Sequence, residues 1–220
     1  MIYLCFGLMV LIPYFLCGVN TAIIVTKIKC GKDIRTLGSG NAGLTNTLRT
    51  QGKIAALFVL LGDVLKGVLS VIAVDLCFRF IAGIDVRGAE SGWTWVLYAA
   101  GVAAILGHVF PVYYGFKGGK GVLVTVSVLF AIDWLPALIL LGIFALIVLI
   151  SRYVSLGSVI AATLYPFTVL IFGLVENSPC AVADFCLSAA IGGLIVFMHR
   201  GNIQRLINHT EKKLGHKADK

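Results

Sequence analysis

Charge is scarce in this chain. Asp, Glu, Lys and Arg make up 13% of the 220 residues, about half the share in a soluble domain, while hydrophobic residues reach 59% at a mean hydropathy of +0.99. That balance excludes a water-soluble globular domain. No CxxC pair occurs among Cys5, Cys17, Cys30, Cys77, Cys180 and Cys186, so metal-ligating or redox spacing is missing, and the thiols read as small apolar residues. No basic n-region precedes the first apolar run, which reads as a retained helix instead of a cleaved signal. Internal repeats and low-complexity linkers are lacking as well.

What the chain does contain is apolar runs, each measured against the roughly 20 residues a helix needs to cross a bilayer about 30 Å thick. Crossings are expected at 2–26, 54–82, 93–114, 121–134, 135–151, 153–175 and 180–199. The fourth and fifth share one run of apolar residues broken at Asp133-Trp134-Leu135-Pro136, where a tight hairpin is expected; the alternative is one long tilted helix and six crossings. Charge favours the hairpin. With seven crossings, 15 of the 18 cations share one side: Lys27, Lys29, Lys32, Arg35, Arg49, Lys53, Lys117, Lys120, Arg152, Arg200, Arg205, Lys212, Lys213, Lys217 and Lys220. The opposite loops keep Arg87 with Asp85, Glu90, Asp133, Glu176 and Asp184. Cationic loops stay cytoplasmic, so the expectation is an all-α, polytopic membrane protein of one domain, 1–220, with seven transmembrane helices, N-terminus outside and C-terminus cytoplasmic. Asp63 and Lys66, at i and i+3 within the second crossing, are expected to neutralise one another. The basic tail from Thr210 reads as a solvated end near anionic lipid headgroups.

Three polar clusters fall on the basic side. Residues 38–49 read GSGNAGLTNTLR. Gly38, Gly40 and Gly43 let backbone amides turn inward as an anion-binding nest before a helix, Ser39 adds a hydroxyl, and Arg49 a guanidinium fork. Thr45 and Asn46 share a helix face with Arg49. The bland reading is a flexible loop and an interfacial arginine. Residues 107–121 read GHVFPVYYGFKGGKG, with Lys117, Gly118, Gly119, Lys120 and Gly121 opening a helix as a phosphate-binding loop would. GxxxxGK[ST] is absent, which argues against a nucleotide hydrolase. His108 is either a ligand or a satisfied helix-end histidine. Residues 198–206 read MHRGNIQRL, with His199 and Asn202 at i and i+3, able to meet at one point, against the alternative of a basic membrane exit. Ser155 and Ser158 add two hydroxyls on the same side.

Together these clusters suggest a pocket at the membrane interface for a phosphate-bearing substrate with an apolar part. The three motifs, in order and over nearly the whole chain, resemble those of the PlsY-type acyl-phosphate:glycerol-3-phosphate acyltransferases of bacterial membranes: GSGNxGxTNxxR, GHxFPxxxxFKGGKG and HxxNIxRL with an acidic residue soon after, here Glu211. The chain departs from the commonest pattern at Leu44, Leu123-Val124 and His209. The resemblance implies transfer of a fatty acyl group from acyl phosphate to the sn-1 hydroxyl of glycerol 3-phosphate, giving 1-acylglycerol 3-phosphate and phosphate, for phospholipid synthesis at the cytoplasmic face of a bacterial inner membrane. No metal or other cofactor and no nucleic acid is implied; the partners are the two substrates and membrane lipids. By position it implies Ser39, Arg49, His199 and Asn202 as catalytic residues. Gly38, Gly40, Asn41, Thr45, Asn46, His108, Lys117, Gly118, Gly119, Lys120, Gly121, Arg205 and one of Ser155 and Ser158 are implied as substrate ligands.

None of the four histidines has Asp five positions on, so the His-x4-Asp pair of the other glycerol-phosphate acyltransferases, with their usual acyl-CoA donor, is lacking. An activated acyl phosphate requires alignment and charge stabilisation more than covalent catalysis, so direct transfer is expected. The rival is a transporter for an organic phosphate; it would need a midplane site reachable from both sides, and the polar clusters lie on one side only.

Overall fold

The computed structural model describes residues 1–88 and 90–215; Lys217 and Lys220, counted in the charge bias, lie outside the described residues. Among those described, the secondary structure is entirely helical. In chain order the α-helices are α1 (Ile2–Gly18), α2 (Thr21–Cys30), α3 (Leu44–Gln51), α4 (Lys53–Cys77), α5 (Trp95–Val109), α6 (Val122–Ile132), α7 (Trp134–Ser151), α8 (Val154–Val175), α9 (Ala181–Met198) and α10 (Arg200–Ile207).

Among the described residues, six segments are long and apolar enough to cross a membrane: Ile2–Cys30, Lys53–Ala82, Trp95–Tyr114, Trp134–Ser151, Val154–Val175 and Ala181–Met198. The expected fourth crossing, 121–134, is the 11-residue helix α6, about 16 Å long at 1.5 Å per residue and so about half a hydrocarbon core. The long tilted helix is not what forms instead. Asp133 leaves the helical conformation (φ −144°, ψ 109°), and its carboxylate accepts the Leu135 amide at 3.2 Å, ending α6 and capping α7 in one residue. The first crossing also departs from expectation. Its apolar run is broken at Val19–Asn20, where the Asn20 carboxamide accepts the Ile23 amide at 3.1 Å and starts α2.

Large apolar side chains face outward on α1, α4, α7, α8 and α9, while the interior holds Val71, Val74, Phe78, Leu97, Ile105 and Ile191 among others. An apolar exterior fits lipid as the solvent, and small residues let the helices close on one another. At the α8–α9 crossing a Cβ on Gly192 would strike the Ala162 carbonyl.

The buried charges of α4 are paired. Lys66 Nζ lies 2.8 Å from Asp63 Oδ1, as the i, i+3 spacing predicts. Asp75, nearer the other end of α4, is met by Arg87 from the following loop at 2.5 Å. Loops 38–43 and 117–121 and helices α3 and α10 lie together at one end of the bundle.

Candidate active site

Loop 38–43 is built around Asn46. From the first turn of α3 its carboxamide oxygen accepts the Ser39 amide at 3.0 Å, and its nitrogen donates to the carbonyls of Ile34, Leu37 and Asn41 at 3.3, 2.9 and 3.0 Å. That side chain is wholly occupied in holding the loop and is buried, so it positions the loop and does not reach the cleft. Gly38 sits at φ +56°, and a Cβ there would collide with Asn46 Oδ1, so only glycine closes this turn. The amides of Ser39, Gly40 and Gly43 are all bonded within the loop, to Asn46, Leu37 and Asn41. The loop amides are therefore not the open nest expected from the glycines; the amides that no preceding carbonyl can satisfy are those of the first turn of α3. Ser39 projects into solvent, and Asn41 and Thr45 are half-buried.

Loop 117–121 shows the same economy. The Gly118 and Gly119 amides donate to the carbonyls of Val109 and His108 at 3.0 and 3.2 Å, which docks the loop on the end of α5. A Cβ on Gly119 would collide with the His108 ring and with the Ala42 carbonyl, so this glycine is required where the two loops touch. Gly121, at φ +84°, turns the chain into α6, whose first-turn amides have no preceding carbonyl to meet. His108 is 4% exposed and does not open to the cleft; its Nδ1 meets Lys66 Nζ at 3.1 Å.

The two lysines separate clearly. Lys117 is exposed, and its carbonyl accepts a bond from Arg35 at 3.0 Å. The Lys120 ammonium turns inward and donates to Asn202 Oδ1, which places loop 117–121 against α10. Asn202 Nδ2 then donates to Glu211 Oε1 at 2.7 Å; the same carboxylate accepts Ser155 Oγ at 2.8 Å and Arg205 Nε at 2.7 Å. Sequence reasoning noted Glu211 only as an acidic residue after the third motif, yet it is the hub that orients three of the expected ligands. Its signal is faint because it lies in a polar tail and reaches the site by a tight turn after α10, where Thr210 and Glu211 amides bond back to Arg205 O. Between the two serines the structure distinguishes plainly. Ser155 joins the Glu211 cluster, whereas Ser158 donates to the Val154 carbonyl within its own helix at 2.9 Å.

The tail continues over the site. Arg49 Nη2 donates to the Lys212 carbonyl at 3.0 Å and the Leu214 amide to Arg152 O at 2.7 Å, while Arg49 Nε is buried without a partner. The guanidinium thus has a donor to spare. Burial, then the neighbouring Arg205 and Arg49, pull the Lys120 ammonium down to about 8, with Glu211 acting the other way. Burial works against the Glu211 carboxylate, but bonds from Asn202, Arg205 and Ser155 outweigh it and hold the group below its usual range. His199 is 4% exposed, and burial, reinforced by Lys120, pulls its imidazole down to about 4. The imidazole is therefore neutral near pH 7. Its Nδ1 lies 2.8 Å from the Ile195 carbonyl, which can only accept, so the ring proton sits on Nδ1 and Nε2 carries a free lone pair.

Beneath this cluster an apolar cavity opens between α6, α7 and α8. It is lined by Val122, Leu129, Leu140, Phe144, Ser158 and Tyr165, and Ile195, whose carbonyl holds His199, also faces it. Among the described residues no group of three His, Cys, Asp or Glu side chains could hold a metal ion.

The geometry is therefore a cationic, amide-rich cluster above an apolar cavity, and the chain as a whole is similar to known proteins. The glycerol-3-phosphate acyltransferase family profile matches residues 7–209. A glycerol-3-phosphate acyltransferase of Clostridioides difficile is 39% identical over 208 residues, covering 94% of this chain and 95% of its own; one of Halalkalibacterium halodurans is 42% identical over 213 residues, covering 96% and 97%. The crystal structure of PlsY (YgiH), an integral membrane glycerol 3-phosphate acyltransferase, in its glycerol 3-phosphate form superposes with a TM-score of 0.77 at 35% identity, and each chain is covered to 94%. Its lysophosphatidic acid form gives 0.74 at 33%. This chain belongs to the glycerol-3-phosphate acyltransferase family of PlsY type, integral membrane enzymes that acylate glycerol 3-phosphate.

Proposed function

We propose that this enzyme takes its acyl group from an acyl phosphate and delivers it to the sn-1 hydroxyl of glycerol 3-phosphate. The products are 1-acylglycerol 3-phosphate and inorganic phosphate, at the cytoplasmic face of a bacterial inner membrane. The observation that carries the reading is the convergence of Lys120, Arg49, Arg205, Asn202 and His199 directly above an apolar cavity. A cationic end fits phosphate, and an apolar end fits an acyl chain.

In this reading α6 is a seventh, half-depth membrane helix. The N-terminus faces out and the C-terminus in, because the cationic loops remain cytoplasmic. Arg49 binds the phosphate of glycerol 3-phosphate through its unused donor, with Ser39 and the first turn of α3 beside it. Lys120 and the first turn of α6 face the phosphate of the acyl donor. His199 Nε2 accepts the proton of the sn-1 hydroxyl as its oxygen attacks the acyl carbonyl; the substrate's own phosphate is the alternative acceptor. The C–O bond to phosphate then breaks, and Lys120 with the α6 amides takes up the charge that develops on the departing group. The proton leaves His199 to phosphate or water. No acyl-enzyme forms, because two substrates held in line need only alignment and charge stabilisation.

The test is donor choice. Purified protein with labelled glycerol 3-phosphate is expected to make lysophosphatidate from palmitoyl phosphate and far less from palmitoyl-CoA. Equal or better use of the thioester overturns the reading.

A further inference from the structure

A buried ion pair lies directly behind the two loops, and the acyl-transfer reading leaves it without a task. Lys66 and Asp63 are 6% and 2% exposed. Taking two charges out of water is costly, and apolar residues of similar volume often serve stability as well or better. Neutralisation alone is thus a weak reason for a lysine here. What an apolar pair could not supply is the ammonium's three N–H bonds, and all three are used. They go to Asp63 Oδ1 at 2.8 Å, to the Val19 carbonyl at 2.8 Å and to His108 Nδ1 at 3.1 Å.

Those partners belong to three different elements. The Val19 carbonyl is exposed by the break between α1 and α2. The next residue, Asn20, is 1% exposed and donates from Nδ2 to the Ala42 carbonyl of loop 38–43 at 3.3 Å. On the other arm, an ammonium cannot accept, so His108 Nδ1 accepts and its ring proton sits on Nε2, the atom that faces Gly119. The same histidine's carbonyl receives the Gly119 amide at 3.2 Å. One anchor therefore reaches both loops, and they meet where Ala42 O and His108 Nε2 flank Gly119. Thr21 braces the anchor by donating to Asp63 Oδ1 at 3.1 Å.

We infer that Lys66 and Asn20 are positioning residues for the reaction, fixing the separation of loops 38–43 and 117–121 from the helix break at Val19–Asn20. The inference rests on the reading that the two loops hold the two substrates, because a fixed separation then sets the distance from hydroxyl to acyl carbonyl. Neither residue touches substrate. A misplacement of 1 Å remote from the chemistry can cost about a hundredfold in rate.

The experiment compares the full-length wild-type protein in detergent with two variants. In the double variant Asp63→Leu/Lys66→Met no unpaired charge remains, and in Asn20→Ala the charge pair is untouched. Steady-state kinetics with palmitoyl phosphate and glycerol 3-phosphate is expected to show kcat down by about 30- to 100-fold in the double variant, with the glycerol-phosphate KM within about threefold. Asn20→Ala, which severs one arm, is expected to lose about tenfold in kcat. Spin labels on the exposed Thr36 and Phe116, in a background with Cys30 and Cys186 replaced by serine, give the loop-to-loop distance. That distribution is expected to be narrow in the parent and broadened in both variants. A well-folded double variant with kcat within twofold and an unchanged distribution overturns the inference. If the double variant does not fold, Asn20→Ala decides: parental kcat with an unchanged distribution overturns it equally. If the parent fails to use acyl phosphate, it is the donor reading that falls, and the spin-label distances still test the anchor.

Discussion

Replacing Gly119 by alanine isolates the approach of the two loops in a single atom. The added Cβ would sit 2.7 Å from the Ala42 carbonyl and closer still to His108 Nε2. Ordinary carbon contacts begin near 3.4 Å, so the carbonyl alone must be relieved by 3.4 − 2.7, or about 0.7 Å. Neither neighbour can yield freely. Ala42 O is backbone bonded to Asn20, and the His108 ring is held by Lys66. Loop 117–121 must therefore retreat, carrying Lys120 away from Asn202. Overpacking of this kind costs about 1–3 kcal/mol in stability. Misplacement approaching 1 Å costs up to about 10²-fold in rate, so kcat should fall by roughly 30- to 100-fold. The assay is steady-state transfer in detergent with both substrates saturating, with thermal unfolding of the same preparation as the check on folding. Gly142→Ala, where nothing lies within 4 Å of the new atom, should keep parental kcat. Gly119→Ala with kcat within about threefold of parent would refute the claim that the loops must touch.

Arg49→Ala should chiefly raise the glycerol-phosphate KM, by about 10- to 150-fold, because a charge-assisted contact of roughly 1.5–3 kcal/mol is lost; an unaltered KM would remove Arg49 from the phosphate site. His199→Ala should lower kcat by about 10²–10⁴-fold with little change in KM, whereas parental turnover at saturation would pass the proton to the substrate's own phosphate. The pH profile of kcat/KM should be bell-shaped. His199 is a base only while neutral, so activity is lost as pH falls through about 4. Lys120 assists only while charged, so activity is lost as pH rises through about 8. Lys120→Arg should move the basic limb upward, and a limb that stays in place would exclude Lys120 as its source.

The sequence makes the membrane architecture legible wherever one local rule dominates. Apolar length marks seven crossings, six of which are long apolar helical segments while 121–134 is the short α6; the i, i+3 spacing finds the Asp63–Lys66 pair, and Asp133 before Pro136 marks the turn between α6 and α7. Three features are not local and so do not show. The break at Val19–Asn20 carries a local cap in Asn20, but it sits inside a stretch read as one crossing, because two of its partners, Lys66 and Ala42, come from elsewhere in the chain. The glycine loops suggest free amides, yet Gly40, Gly118 and Gly119 donate to carbonyls within their own surroundings, which leaves the unbonded amides at the starts of α3 and α6. Glu211 lies in a tail whose composition resembles a solvated terminus, and only the fold brings it to Asn202, Arg205 and Ser155.

The central claim is coupled transfer between two phosphates, and phosphorus NMR of one reaction mixture tests it most directly. Purified protein with palmitoyl phosphate and glycerol 3-phosphate should convert both resonances together, yielding lysophosphatidate and inorganic phosphate in equal amounts, and neither substrate should be consumed without the other. Phosphate released from palmitoyl phosphate with no matching lysophosphatidate, or lysophosphatidate formed with no matching phosphate, would contradict it.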